Sequence, residues 1–175
     1  MKTFIFFIVP ITAIFSCVSR IKTISDTYLA GDNYCFVKMV QFYKGIGVIF
    51  NGDYNPGILM SDKKERFTPD SLDVAIAETV FDKDFDNYKE KVGIKAPGKN
   101  DSKSLYYKYN RQYVGYVDNT GNKVIVIHLI DFSNPGKANK ILSKRWYETY
   151  VIYFSEQEPL NIFDVVVDIS NKRLK

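Results

Sequence analysis

Histidine occurs once in the 175 residues, at position 128, and this limits the chemistry open to the chain. A histidine metal cluster is excluded, and any serine or cysteine triad must pass its proton through His128. His128 sits inside the apolar stretch Lys123–Asp131, with Asp131 the only acid close by in sequence. A core or interstrand histidine is therefore expected; a deep pocket around it, lined by converging acids, would mark a hydrolase instead. Asp82, Asp84 and Asp86 alternate as calcium ligands do, yet they lack the loop glycine and the distal bidentate Glu, so an acidic, solvated face is expected. Glu156 and Glu158 fall in a turn, where spacing defines no acid–base pair. Glycine-rich phosphate loops, a nucleophile elbow and metal-ligand spacings do not occur. The residues thus point to no catalytic group, no cofactor and no metal, and to a non-enzymatic protein.

The aromatic residues offer a different chemistry. Tyr106, Tyr107, Tyr109, Tyr113 and Tyr116 crowd one stretch, and strand alternation places Tyr107, Tyr109, Arg111 and Tyr113 on one face. Tyrosine rings beside a guanidinium suit flat or anionic ligands, so these four form a possible surface for a glycan or peptide. The competing expectation packs the rings under a helix, with hydroxyls at the rim. Lys137, Lys140, Lys144 and Arg145 could touch anionic headgroups, but an ordinary solvated loop explains them as well.

Two cysteines are present, Cys17 and Cys35. Cys35 lies in the apolar run Tyr34–Val40 with no neighbouring base, as a buried, inert thiol would. Cys17 ends a different kind of segment. Lys2 is followed by the apolar run Phe4–Phe15, which contains Pro10 and is cut off by Arg20 and Lys22. A bilayer span needs about 20 apolar residues, so this run is too short to stay in a membrane and has the build of an export signal.

Its end, Ile14-Phe15-Ser16-Cys17, resembles the lipobox of bacterial lipoproteins: an apolar residue, a variable one, a small one, then the lipidated cysteine. The resemblance implies a signal peptide over 1–16, cleavage before Cys17, and membrane attachment through lipid on that sulfur. Ser19 stands where many lipoproteins of the inner membrane carry Asp, so the outer membrane is favoured in a cell with two. An unlipidated secreted binding module is the alternative. Loss of residues 1–16 removes Lys2 from a balance of +4, and the remaining cations are interspersed with acids, so no nucleic-acid footprint is present.

The elements follow. Residues 17–33 are expected to be a tether, and 34–175 a single domain, long enough for a core without disulfide bonds. Strand structure is expected over Tyr34–Phe50, broken at Gly45-Ile46-Gly47, with turns from Asn51 to Gly57 and a short strand at Ile58–Met60. Phe67-Thr68-Pro69-Asp70 predicts a helix start capped by Thr68, and the apolar spacing runs on to Val92 before Gly93. A polar linker, Ala96–Ser104, precedes a long strand Leu105–Asp118, a turn at Asn119–Asn122 and a return strand Lys123–Asp131. That return strand is apolar on both faces and should be central. Tyr147–Ser155 and Ile162–Ser170 read as two more strands, the last with Asp164, Val166 and Asp168 pointing outward.

The fold class is thus α+β: one long helix packed on a mainly antiparallel sheet of four or more strands. That order is similar to cystatin-like folds, although Gln112-Tyr113-Val114-Gly115-Tyr116 departs from their Gln-x-Val-x-Gly loop in spacing and position. Phe67-Thr68-Pro69 with Arg111–Tyr116 also resembles small bacterial envelope lipoproteins, which brings no activity with it.

Overall fold

The structure, a computed structural model, describes residues 32–58, 60–92, 106–142, 145–152 and 160–175, with side chains in 71–92 described to Asp86. The signal segment, Cys17, nearly all of the tether, the linker Ala96–Ser104, and Glu156 with Glu158 lie outside the described residues. Strands β1 (Tyr34–Val37), β2 (Gly47–Phe50) and β3 (Lys63–Phe67) precede helix α1 (Ser71–Val92). Strands β4 (Asn110–Asp118) and β5 (Lys123–Ile130), helix α2 (Pro135–Ile141), and strands β6 (Ile162–Asp168) and β7 (Arg173–Leu174) follow. The domain is α+β, with a mixed, mostly antiparallel sheet of seven strands and two helices among the described residues. No helix among these residues is long and apolar enough to cross a membrane.

The sheet runs β1-β2-β4-β5-β6-β7. One edge of β4 is shared by two strands. β2 runs parallel to its first half through Gly47↔Arg111 to Ile49↔Tyr113, and β3 runs antiparallel to its second half through Phe67↔Gly115 to Lys63↔Asp118. On its other edge β4 pairs with β5 along its whole length. β5 is central, as its two-faced apolar sequence requires. Ile125, Ile127 and Leu129 enter the core beneath α1, together with Val74, Ala77, Phe81 and Phe85 of the helix. Val124, Val126 and Ile130 enter a second core on the opposite face, covered by Leu142, Trp146, Tyr150 and Val151. The sheet is therefore buried on both sides.

Several expectations are corrected. Asp70 caps α1: its Oδ1 accepts from the amides of Leu72 and Asp73, both at 2.8 Å, and Asp73 returns a bond to the Asp70 amide. Thr68 accepts instead from the Gly52 amide at 2.8 Å, fastening the preceding turn to the helix entrance. β4 starts at Asn110 rather than Leu105, because the carbonyls of Tyr106 and Tyr109 turn inward to accept from Arg111 Nη1, at 2.8 and 2.6 Å. Ile58 and Met60 belong to no strand. The described part of the expected strand Tyr147–Ser155 is irregular as well, because its backbone groups bond to side chains rather than to a neighbouring strand.

Asn134-Pro135 opens α2 rather than a loop, with the Asn134 side chain accepting from the Lys137 amide at 3.0 Å. Asp168 does not point into solvent. It is fully buried, bonded to the amide and side chain of Asn171 and facing Arg173, because the chain folds back after β6 to form β7. Cys35 is half-buried, and burial raises the pKa of its thiol, which leaves it a poor nucleophile.

Candidate functional site

Strand register builds a polar row that linear distance hides. Gln112 on β4 lies opposite His128 on β5, and His128 lies opposite Asp164 on β6. All three sit on the sheet face away from α1, under residues 145–152. Gln112 holds that segment: its Nε2 donates to the carbonyls of Trp146 and Thr149, each at 2.9 Å, and its Oε1 accepts from the Val151 amide at 2.9 Å. The clamp sets Tyr150 over the row, its ring centroid 4.3 Å from that of His128 and its hydroxyl donating to Asp164 Oδ1 at 2.6 Å. Nδ1 of His128 meets the same oxygen, also at 2.6 Å.

Burial pushes the Asp164 pKa upward, but the hydrogen bonds from His128 and Tyr150 and the attraction of the His128 ring outweigh it, leaving the carboxyl below its usual range. Burial and the adjacent carboxylate push the Tyr150 hydroxyl far up, so it serves as a hydrogen-bond donor. The arrangement has the acid and the imidazole of a triad, with no third member among the described residues. Nε2 of His128 is buried and, among the described residues, has no hydrogen-bond partner. Among the described residues no hydroxyl or thiol stands at Nε2 to give it a proton, and the pair ties β5 to β6 and, through Tyr150, to the segment above them.

A cleft of about 370 Å³ opens beside Asp164, within the range of small-molecule sites. Ile58 and Met60 form one wall, Val126 and Val166 of the sheet form the floor, and Lys175 stands at an end. Lys175 Nζ bridges Asp62 at 2.5 Å and Asp118 at 3.0 Å, so its charge is already matched by two carboxylates. Tyr116 adds a hydrogen bond to Asp62, and burial with the nearby acid pushes its own pKa up to about 12. The cavity beneath α1, lined by Glu78, Phe81, Phe85, Tyr106 and Arg111 among others, measures only about 20 Å³, room for a single water.

The four residues expected as a ligand surface do not form one. Tyr109 and Arg111 are 1% exposed and Tyr113 is 0% exposed, because this face of β4 lies under α1. Arg111 pairs with Glu78 at 3.3 Å and stacks 4.6 Å from the centre of the Tyr43 ring. Tyr113 donates to the same Glu78 at 2.7 Å, and Tyr109 packs on Tyr106 and Phe163. Tyr107 alone reaches the rim, donating to the Val40 carbonyl at 3.1 Å. Gln112 and Val114 are buried in the middle of β4, so no inhibitor-type loop is presented there. Asp82 and Asp86 are exposed on α1, and among the described residues no group of His, Cys, Asp or Glu could hold a metal. Asp164, Tyr150, Asp62, Tyr116 and Lys175 carry no motif; only the pairing of β5 with β6 and the closure of the chain end bring them together.

The acids of this region make acid sensitivity predictable. Asp118 is held well below the carboxylate range by the Thr120 hydroxyl, with Lys175 and the Asn122 and Thr120 amides adding to it, and Asp62 is lowered chiefly by Lys175. Together with Asp164 they have depressed folded-state values, so their stabilisation is full above the unfolded carboxylate pKa of about 3.9 and is lost as pH falls below it. Urea midpoints across a pH series are expected to fall below about pH 5. The fall should be shallower in Asp118→Asn.

No family model, curated protein or solved structure matches this chain.

Proposed function

We propose that this chain is a lipid-anchored protein of the bacterial cell envelope, held to a membrane through Cys17, whose domain over 34–175 serves non-enzymatic binding or assembly. The observation that carries the reading is Ile14-Phe15-Ser16-Cys17 at the end of an apolar run too short to span a bilayer. Each buried CH₂ contributes about 0.8 kcal/mol, and one short acyl chain holds only marginally. Two or three chains on one cysteine anchor durably. Ser19 favours the outer membrane where there are two, and the partner of the domain is a protein, a glycan or a small ligand rather than nucleic acid. The use of His128 and Asp164 to join β5, β6 and Tyr150 fits a binding or assembly role. From α1 through β4, β5 and β6 we read the order as cystatin-like, with β1–β3 added ahead of it.

Mass spectrometry of the mature N-terminus is expected to find diacylglyceryl-modified Cys17. Processing should stop under globomycin, and Cys17→Ala should shift the protein from the membrane to the soluble fraction. A bare cysteine at the mature terminus, or a Cys17→Ala form that stays membrane-bound, overturns the anchor; the bare, soluble product would mark the secreted module instead.

A further inference from the structure

We propose that the cleft between Ile58, Met60, Ser61 and Asp62 on one side and the outer sheet face on the other binds a small organic cation, an ammonium on an apolar body, with Asp164 as its counter-ion. The inference rests on the binding-module reading and names the ligand class. Four of the lining side chains, Ile58, Met60, Val126 and Val166, are apolar, so the body of a ligand would displace water from hydrocarbon. The polar groups then set its charge. Asp164 is 43% exposed at the cleft, and both hydrogen bonds it accepts among the described residues end on Oδ1. Its second oxygen is the acceptor offered to a ligand.

An anion finds no match here, because the one lining cation among the described residues, Lys175, is already shared between Asp62 and Asp118. A neutral apolar molecule would strip water from Asp164 and return nothing, which is costly for a carboxylate. A cation gains a charge-assisted hydrogen bond, and the hydroxyls of Ser61 and Tyr116 line the same cleft as further acceptors.

Phenethylammonium, 2-phenylethanol and 3-phenylpropionate share one body and differ in charge. They are compared by equilibrium dialysis against the full chain, in lipid nanodiscs when it carries lipid and in buffer when it does not. Phenethylammonium is expected to bind about tenfold more tightly than the alcohol, the effect of one charge-assisted hydrogen bond, with the carboxylate weakest. Asp164→Asn should bring cation and alcohol to within about twofold of each other. Val166→Phe, which fills the floor and leaves the charge, should weaken both; it decides the matter if circular dichroism shows Asp164→Asn to be unfolded. Equal binding of all three probes, no retention of the cation by the folded wild type, or cation binding undiminished by Val166→Phe overturns the proposal. A bare Cys17 with the cation still bound removes the anchor and leaves the cleft; a lipidated chain that ignores the cation does the reverse.

Discussion

Replacing Glu78 with alanine is expected to destabilise the domain by about 3–5 kcal/mol, the range for breaking a buried ion pair from one side. Glu78 and Arg111 are each 1% exposed. Removal of the carboxylate leaves a guanidinium under α1 whose remaining partners are the carbonyls of Tyr106 and Tyr109 and the ring of Tyr43. It also leaves the Tyr113 hydroxyl without its acceptor. Arg111 cannot shed its proton to escape the cost, since a guanidinium stays charged at any accessible pH. The double replacement Glu78→Leu with Arg111→Met should recover much of the loss, because a well-packed apolar pair matches or exceeds a buried ion pair. Chemical denaturation of the single and double variants measures both. A single variant within 1 kcal/mol of wild type would show that the pair is not isolated from water as described.

Gln112→Leu is expected to cost about 3 kcal/mol or more, at roughly 1–3 kcal/mol for each buried partner left unsatisfied. One side chain serves the carbonyls of Trp146 and Thr149 and the amide of Val151, and leucine can serve none of them. The loss is local in origin. Residues 146–151 should loosen first and take the Tyr150 hydroxyl from Asp164 with them, so a protease should cut this segment at native-like conditions before the sheet opens. Limited proteolysis followed by mass mapping reads this directly. Cleavage elsewhere first would show that the clamp is not what holds the segment.

Much of the architecture was legible wherever side-chain period reported burial. The two-faced apolar run of β5 announces a central strand, the turn at Asn119–Asn122 is where the β4–β5 hairpin reverses, and Val80, Phe81 and Phe85 lie on the buried helix face as their spacing predicts, whereas Leu72 is 60% exposed and Val74 fills the core in the first turn. Local capping chemistry was present but misassigned: Thr68 and Asp70 are both able caps, and only the demand of the Gly52 amide decides between them. β3 escaped because Lys63-Lys64-Glu65-Arg66 has no apolar alternation; its pairing depends on β4 rather than on its own composition. The tyrosine face was read correctly as one face for Tyr109, Arg111 and Tyr113, but whether a face meets a helix or solvent is a tertiary fact. Asp164 faces outward as its alternation in β6 predicts and is 43% exposed, whereas Asp168 on the same face is buried by the returning chain end. The tie of Asp164 to His128 is a matter of register across 36 residues, and no local pattern encodes register.

The shared edge of β4 has a temporal meaning. Both β2 and β3 find hydrogen-bonding partners on a strand that begins more than forty residues after the latter ends, so the first portion of the domain cannot complete its ladders while it is being synthesised. In a polypeptide so arranged β2 and β3 take their places in the sheet only once β4 has been made, so the order of assembly runs from the middle of the domain outward.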